Sequence, residues 1–97
     1  MKLTAKHIAQ LKKYFTSRPV KRAYLFGSYS RNEALNDSDV DILVELDHSQ
    51  PIGLKFFIFK EELENILKRK VDLISSEGIS PYIKNIIDED KVLIYEE

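Results

Sequence analysis

Hydrophobic positions along this chain change period several times, and each change marks an element. Ile8, Leu11 and Phe15 recur at helical spacing with lysines between them, which predicts an amphipathic helix over residues 4–17. Thr4 is its N-cap and Ser17-Arg18-Pro19 its end. Residues 21–26, Lys-Arg-Ala-Tyr-Leu-Phe, read as a strand stopping at Gly27. Ser28 then caps a short helix reaching about Leu35, and Asn36-Asp37-Ser38 is turn chemistry. Residues 39–47 alternate. Val40, Ile42, Val44 and Leu46 share one face, while Asp39, Asp41, Glu45 and Asp47 share the other, with Leu43 as the exception. After Pro51 and Gly53, residues 54–69 form a helix carrying Leu54, Phe57, Ile58, Leu63, Ile66 and Leu67. It ends in Lys68-Arg69-Lys70, cations that suit a last turn. Val71–Ile74 is a short strand. Ser80-Pro81 opens a helix with Ile83, Ile86 and Ile87, and Val92–Tyr95 closes the chain as a strand.

This helix–strand alternation predicts a layered α/β (α+β) domain around one sheet. Phe56, Phe57 and Phe59 cover too much helix circumference for one buried stripe, so some face outward or against another chain. Leu43 on the charged strand face meets a neighbouring element. His7 and His48 read as surface residues.

Composition narrows the classes. Ninety-seven residues predict a single domain over 1–97, with 43% hydrophobic and 32% charged residues, a globular balance. Fifteen Lys plus Arg against 16 Asp plus Glu give a net charge of -1, which argues against a dedicated nucleic-acid platform. Without cysteine there is no disulfide scaffold or thiolate site, and two histidines are too few for a multi-histidine zinc site. No apolar run reaches the roughly 18–20 residues that span a bilayer. No signal-peptide core follows Met1-Lys2-Leu3, so a cytoplasmic protein is expected.

Three features fit one chemistry. Gly27-Ser28 stands at a strand-to-helix junction, where unpaired N–H groups, a close backbone approach and a hydroxyl suit phosphate. A plain helix cap has the same look. Asp39 and Asp41, two apart on a strand, project to one side and repel each other unless a hard divalent cation neutralises them. Glu45 and Asp47 continue that face, which also fits an ordinary solvated side. Asp72 lies between Val71 and Leu73, opposite their apolar face. If its strand neighbours that of Asp39 and Asp41, three carboxylates converge, a set that serves two-magnesium displacement at phosphorus. Tyr29 borders the seat or packs as half-buried surface.

Residues 27–41, Gly-Ser-Tyr-Ser-Arg-Asn-Glu-Ala-Leu-Asn-Asp-Ser-Asp-Val-Asp, place Gly-Ser ten residues before Asp-x-Asp, with Arg31 between and Ser38 directly before Asp39. This resembles the minimal nucleotidyltransferases (MNT domains) of the DNA polymerase β superfamily. The match is closest to the MNT antitoxins paired with HEPN-domain toxins. The resemblance implies a polymerase-β-like fold, a small mixed sheet with packed helices. It implies that Gly27 and Ser28 hold the nucleotide's phosphates. It further implies that Arg31 steadies the triphosphate or packs against the loop before Asp39, and that Ser38 pins that turn. Asp39 and Asp41 would hold two magnesium ions, with Asp72 as third ligand or base for the acceptor hydroxyl. The implied reaction moves AMP from ATP to a tyrosine of a cognate HEPN ribonuclease toxin. The alternatives are transfer to a small molecule or RNA end, and a non-catalytic antitoxin acting by binding.

Overall fold

The computed structural model describes residues 3–31, 33–35 and 38–97. Its elements run α1 (Ala5–Thr16), β1 (Val20–Phe26), β2 (Val40–Leu46), α2 (Lys55–Leu67), β3 (Val71–Ser75), α3 (Pro81–Asp90) and β4 (Val92–Glu96). The strands form one mixed sheet in the order β3-β2-β1-β4. β1 is antiparallel to both β2 and β4, while β2 and β3 run parallel. This is the α+β architecture that the alternation predicts.

Alternation along each strand assigns the two sheet faces. Ala23 and Leu25 of β1, Val40, Ile42 and Val44 of β2, and Val71 and Leu73 of β3 are buried in one core with Leu11 and Phe15 of α1 and Phe59, Leu63 and Leu67 of α2. α1 and α2 therefore cover this face. The other face carries Asp41, Leu43 and Glu45 of β2. Leu43 is 5% exposed, because α3 lies over it: a cavity of about 360 Å³ between them is lined by Leu43, Glu45, Ile79, Lys84, Asp88 and Lys91. The neighbouring element expected for Leu43 is thus α3. Phe59 is buried, whereas Leu54, Phe57 and Ile58 are exposed, which resolves the crowded phenylalanine pattern.

Caps fix the helix starts. Thr4 Oγ1 accepts from the His7 N–H at 3.2 Å, and His7 Nδ1 accepts from the Thr4 N–H at 3.1 Å. His7, read from sequence as a surface residue, is thus half of a capping box in which imidazole replaces the usual Glu or Gln. Ser80 caps α3 by accepting from Ile83, with Pro81 in the first turn as expected. α2 stops at Leu67, earlier than the sequence reading. Lys68 adopts a left-handed conformation (φ 56°) and donates to Glu64 O at 2.8 Å. The Lys68-Arg69-Lys70 cations therefore lie past the helix rather than in its last turn.

The expected helix from Ser28 to about Leu35 is a single 3-10 turn over Gly27–Tyr29. Its carbonyl end folds back at once: Ser30 N–H, Arg31 N–H and the Ser30 hydroxyl all donate to Gly27 O, at 3.1, 3.3 and 2.7 Å. Three donors on one oxygen close the loop before a second helical turn forms. Asn36 and Asp37 of the predicted turn lie outside the described residues. Its last member, Ser38, is tied back to Leu35.

Candidate functional site

Gly27 directly follows β1 with φ 73°, a conformation that strains residues with a Cβ. A Cβ there would also collide with the Asp41 carboxylate and lie 3.4 Å from Asp41 Cβ. The glycine is thus required twice, by backbone angle and by the side chain seated against it. Phe26 pairs with Asp41 across the β1/β2 ladder, so the junction and the carboxylate meet at the same end of the sheet. A 3-10 turn leaves its first N–H groups without partners inside the turn, and these start at Gly27-Ser28.

The condition on Asp72 is met. β2 and β3 are parallel neighbours, and Asp41 is directly opposite Asp72 in their register. Asp72 is exposed, Asp41 half-buried, and Asp39 exposed one residue before β2. Two contacts place this pair of strand starts. Val40 N–H donates to Lys70 O at 2.9 Å, and Val71 N–H donates to Glu64 Oε2 at 2.9 Å. Glu64 thus sets where β3, and with it Asp72, begins. Sequence reading missed this role, because a helical glutamate gives no sign of a partner seven residues on.

The electrostatics register that Asp39 and Asp72 lie near enough to act on Asp41. Burial pushes Asp41 up to about 6, and the charges of Asp72 and Asp39 add to the rise, with Arg31 opposing it. Crowded carboxylates that hold one of their number near neutrality are what a hard oxygen-seeking cation relieves. The donor set therefore fits magnesium in kind. Among the described residues, however, no three Asp, Glu, His or Cys side chains are already gathered as a chelating set.

Ser38 N–H donates to Leu35 O at 3.1 Å, and its Oγ accepts from Leu35 N–H at 2.9 Å, closing the loop just before Asp39. Ser28 O accepts from Glu33 N–H at 2.9 Å, which ties the same loop from its other side. Arg31 lies along this rim, paired through Nε with Glu33 at 3.1 Å and through Nη1 with Asp90 of α3. Tyr29 departs from the sequence reading. It is 3% exposed and belongs to the core, with the Arg69 guanidinium 6.0 Å from its ring centroid. It supports the turn from behind rather than bordering a ligand.

The family described as the nucleotidyltransferase domain matches residues 6–94. The chain belongs to this family. It is a nucleotidyltransferase of the minimal kind. The protein adenylyltransferase MntA of Thermococcus cleftensis is 38% identical to it over 92 residues, covering 95% of this chain and 88% of the relative. A Methanocaldococcus jannaschii relative, provisionally named a protein adenylyltransferase, is 46% identical over 76 residues, 77% of this chain and 76% of its own length. A solved structure provisionally named a minimal nucleotidyltransferase superposes with a TM-score of 0.75 at 30% identity, covering 91% of this nucleotidyltransferase and 88% of that chain. A solved complex of a tri-AMPylated Shewanella oneidensis HEPN toxin with an MNT antitoxin contains a chain of the same fold. There the TM-score is 0.71 at 19% identity, over 95% of this chain and 71% of that one. Among the described residues, no helix is long and apolar enough to cross a membrane.

Proposed function

We propose that this nucleotidyltransferase, acting as one minimal domain over residues 1–97, moves AMP from ATP to a tyrosine hydroxyl of a HEPN-domain toxin and so serves as its cytoplasmic antitoxin. The observation that carries the reading is Asp41, held between the Gly27 turn and Asp72, with burial and the neighbouring acids Asp72 and Asp39 disfavouring its charged form. The relatives named as protein adenylyltransferases and the solved HEPN–MNT complex support the nucleotide and the partner.

In this reading the N–H groups at Gly27-Ser28 and the Ser28 hydroxyl hold the β- and γ-phosphates, with Arg31 at the rim and Ser38 fixing the approach to Asp39. Asp39, Asp41 and Asp72 would hold magnesium, two ions by the chemistry of such sites, which supplies charge neutralisation of the triphosphate. The acceptor oxygen attacks the α-phosphorus. The new O–P bond forms as the α–β bridging bond breaks, and pyrophosphate leaves with that electron pair. Asp72, exposed beside Asp41, takes the hydroxyl proton.

The test is mass spectrometry of the partner toxin after incubation with this protein, ATP and magnesium. A gain of one or more AMP units, absent with the Asp39→Ala/Asp41→Ala variant, is expected. An equal gain with that variant would sink the assignment. The exposed Leu54, Phe57 and Ile58 favour a second reading, in which contact alone neutralises the toxin. In that case the double variant still protects cells.

A further inference from the structure

α3 ends in three consecutive acids, Asp88, Glu89 and Asp90, at the helix terminus where the macrodipole disfavours negative charge. Such a placement calls for cations from outside the helix. Asp88 has one nearby in Lys91, with Nζ 2.8 Å from its Oδ1. Asp90 has one from far away: Arg31, 59 residues earlier, on the loop that follows Gly27-Ser28. The helix has few other attachments, since Ile87 is its one buried residue. The Arg31 side chain is 43% exposed and that of Asp90 23% exposed, so the pair lies at the surface rim of the site. Arg31 is near enough to Asp41 to act on its charge, and Glu33 holds its Nε edge.

We propose that Asp90 is a positioning residue for nucleotide binding. It holds the Arg31 guanidinium at the edge of the phosphate seat and ties α3 to that seat. The inference rests on the phosphate-binding role proposed above for Gly27, Ser28 and Arg31. With its Nε and Nη1 edges anchored by two carboxylates, the guanidinium keeps one orientation and presents its remaining donors to the incoming anion. Without Asp90, Arg31 loses its long-range anchor and samples solvent, and the bound triphosphate must order it.

The experiment is calorimetric titration of the protein with ATP and magnesium, using wild type, Asp90→Asn, Arg31→Ala and the double variant, with thermal melts of each. Asp90→Asn is expected to weaken ATP binding about three- to fivefold, the scale of an exposed ion pair. Arg31→Ala should weaken it further, and the double variant should equal Arg31→Ala alone. The exchange Arg31→Asp/Asp90→Arg should recover the melting temperature but not ATP affinity, which separates positioning from mere support of α3. Unchanged or tighter ATP binding in Asp90→Asn, while Arg31→Ala weakens it, overturns the inference. So does simple additivity in the double variant. Wild type that binds no ATP defeats the phosphate-seat reading itself, a distinct failure visible before any variant is compared.

Discussion

The Asp41 carboxylate occupies the space that a side chain at residue 27 would fill. The acid and the glycine are therefore one unit, although they stand 14 positions apart in sequence. Gly27→Ala should cost about 1–2 kcal/mol from the left-handed backbone alone. It should also drive Asp41 out of its place. Nucleotidyl transfer should fall to background while the protein still melts cooperatively. Circular dichroism with a transfer assay measures both, and near-normal transfer would show that the carboxylate's seat is immaterial.

Asp41 makes stability depend on pH. Its value is about 6 in the fold against 3.8 ordinarily, so between those values the folded chain binds more protons than the unfolded one. The contribution is fully present below about 4 and is lost as pH rises through about 6. Denaturant midpoints in EDTA should therefore fall for wild type from pH 4 to pH 7 relative to Asp41→Asn, which lacks this titration. Magnesium at pH 8 should raise the wild-type midpoint and leave Asp41→Asn nearly unmoved. At that pH the variant should be the more stable apo protein and yet inactive, a trade of stability against function.

Much of this is legible in the sequence because β2 alternates everywhere except at Leu43. Val40, Ile42 and Val44 had to share a face, and that placed Asp39 and Asp41 on the other. The role of Asp72 hinged on which strand lies beside which, a non-local fact that periodicity does not carry. In sequence the single 3-10 turn looks like a longer helix because Ser28 resembles a cap, and nothing local announces that three donors converge on Gly27 O. The burial of Tyr29 is hidden for a related reason: one aromatic after a turn has no period to show which way it faces. The Arg31–Asp90 pair spans two elements and was invisible for the same cause as the Asp41–Asp72 register.

Ser38 lies on no ladder, yet its two hydrogen bonds to Leu35 fix the chain one residue before Asp39. Ser38→Ala should lower transfer about tenfold to a hundredfold by loosening Asp39. Unfolding should change by no more than about 1 kcal/mol, since the lost hydrogen bond is exposed. Comparing kcat with the denaturant midpoint separates these effects. A drop in stability without one in kcat would make Ser38 purely structural.

The α1 cap supplies a control far from the chemistry. Thr4→Ala removes the acceptor for His7 N–H and should cost about 1 kcal/mol. That lowers the melting temperature by about 4–8 °C. Transfer measured well below the transition should be unchanged. A matching loss of activity would mean that α1 does more than cover the sheet.

The pairing of β2 with β3 has a kinetic side. Parallel strands are not closed by a tight turn, and here the crossover is α2 with its flanking loops. Asp41 and Asp72 are expected to stay apart until α2 docks on the sheet through Leu63 and Leu67, which belong to the core. The repulsive cluster should therefore form late in folding, after hydrophobic collapse has supplied the stability to bear it. In refolding, helical signal should return first and catalytic competence last, so a truncated or stalled chain would carry the full nucleotide motif and remain inert.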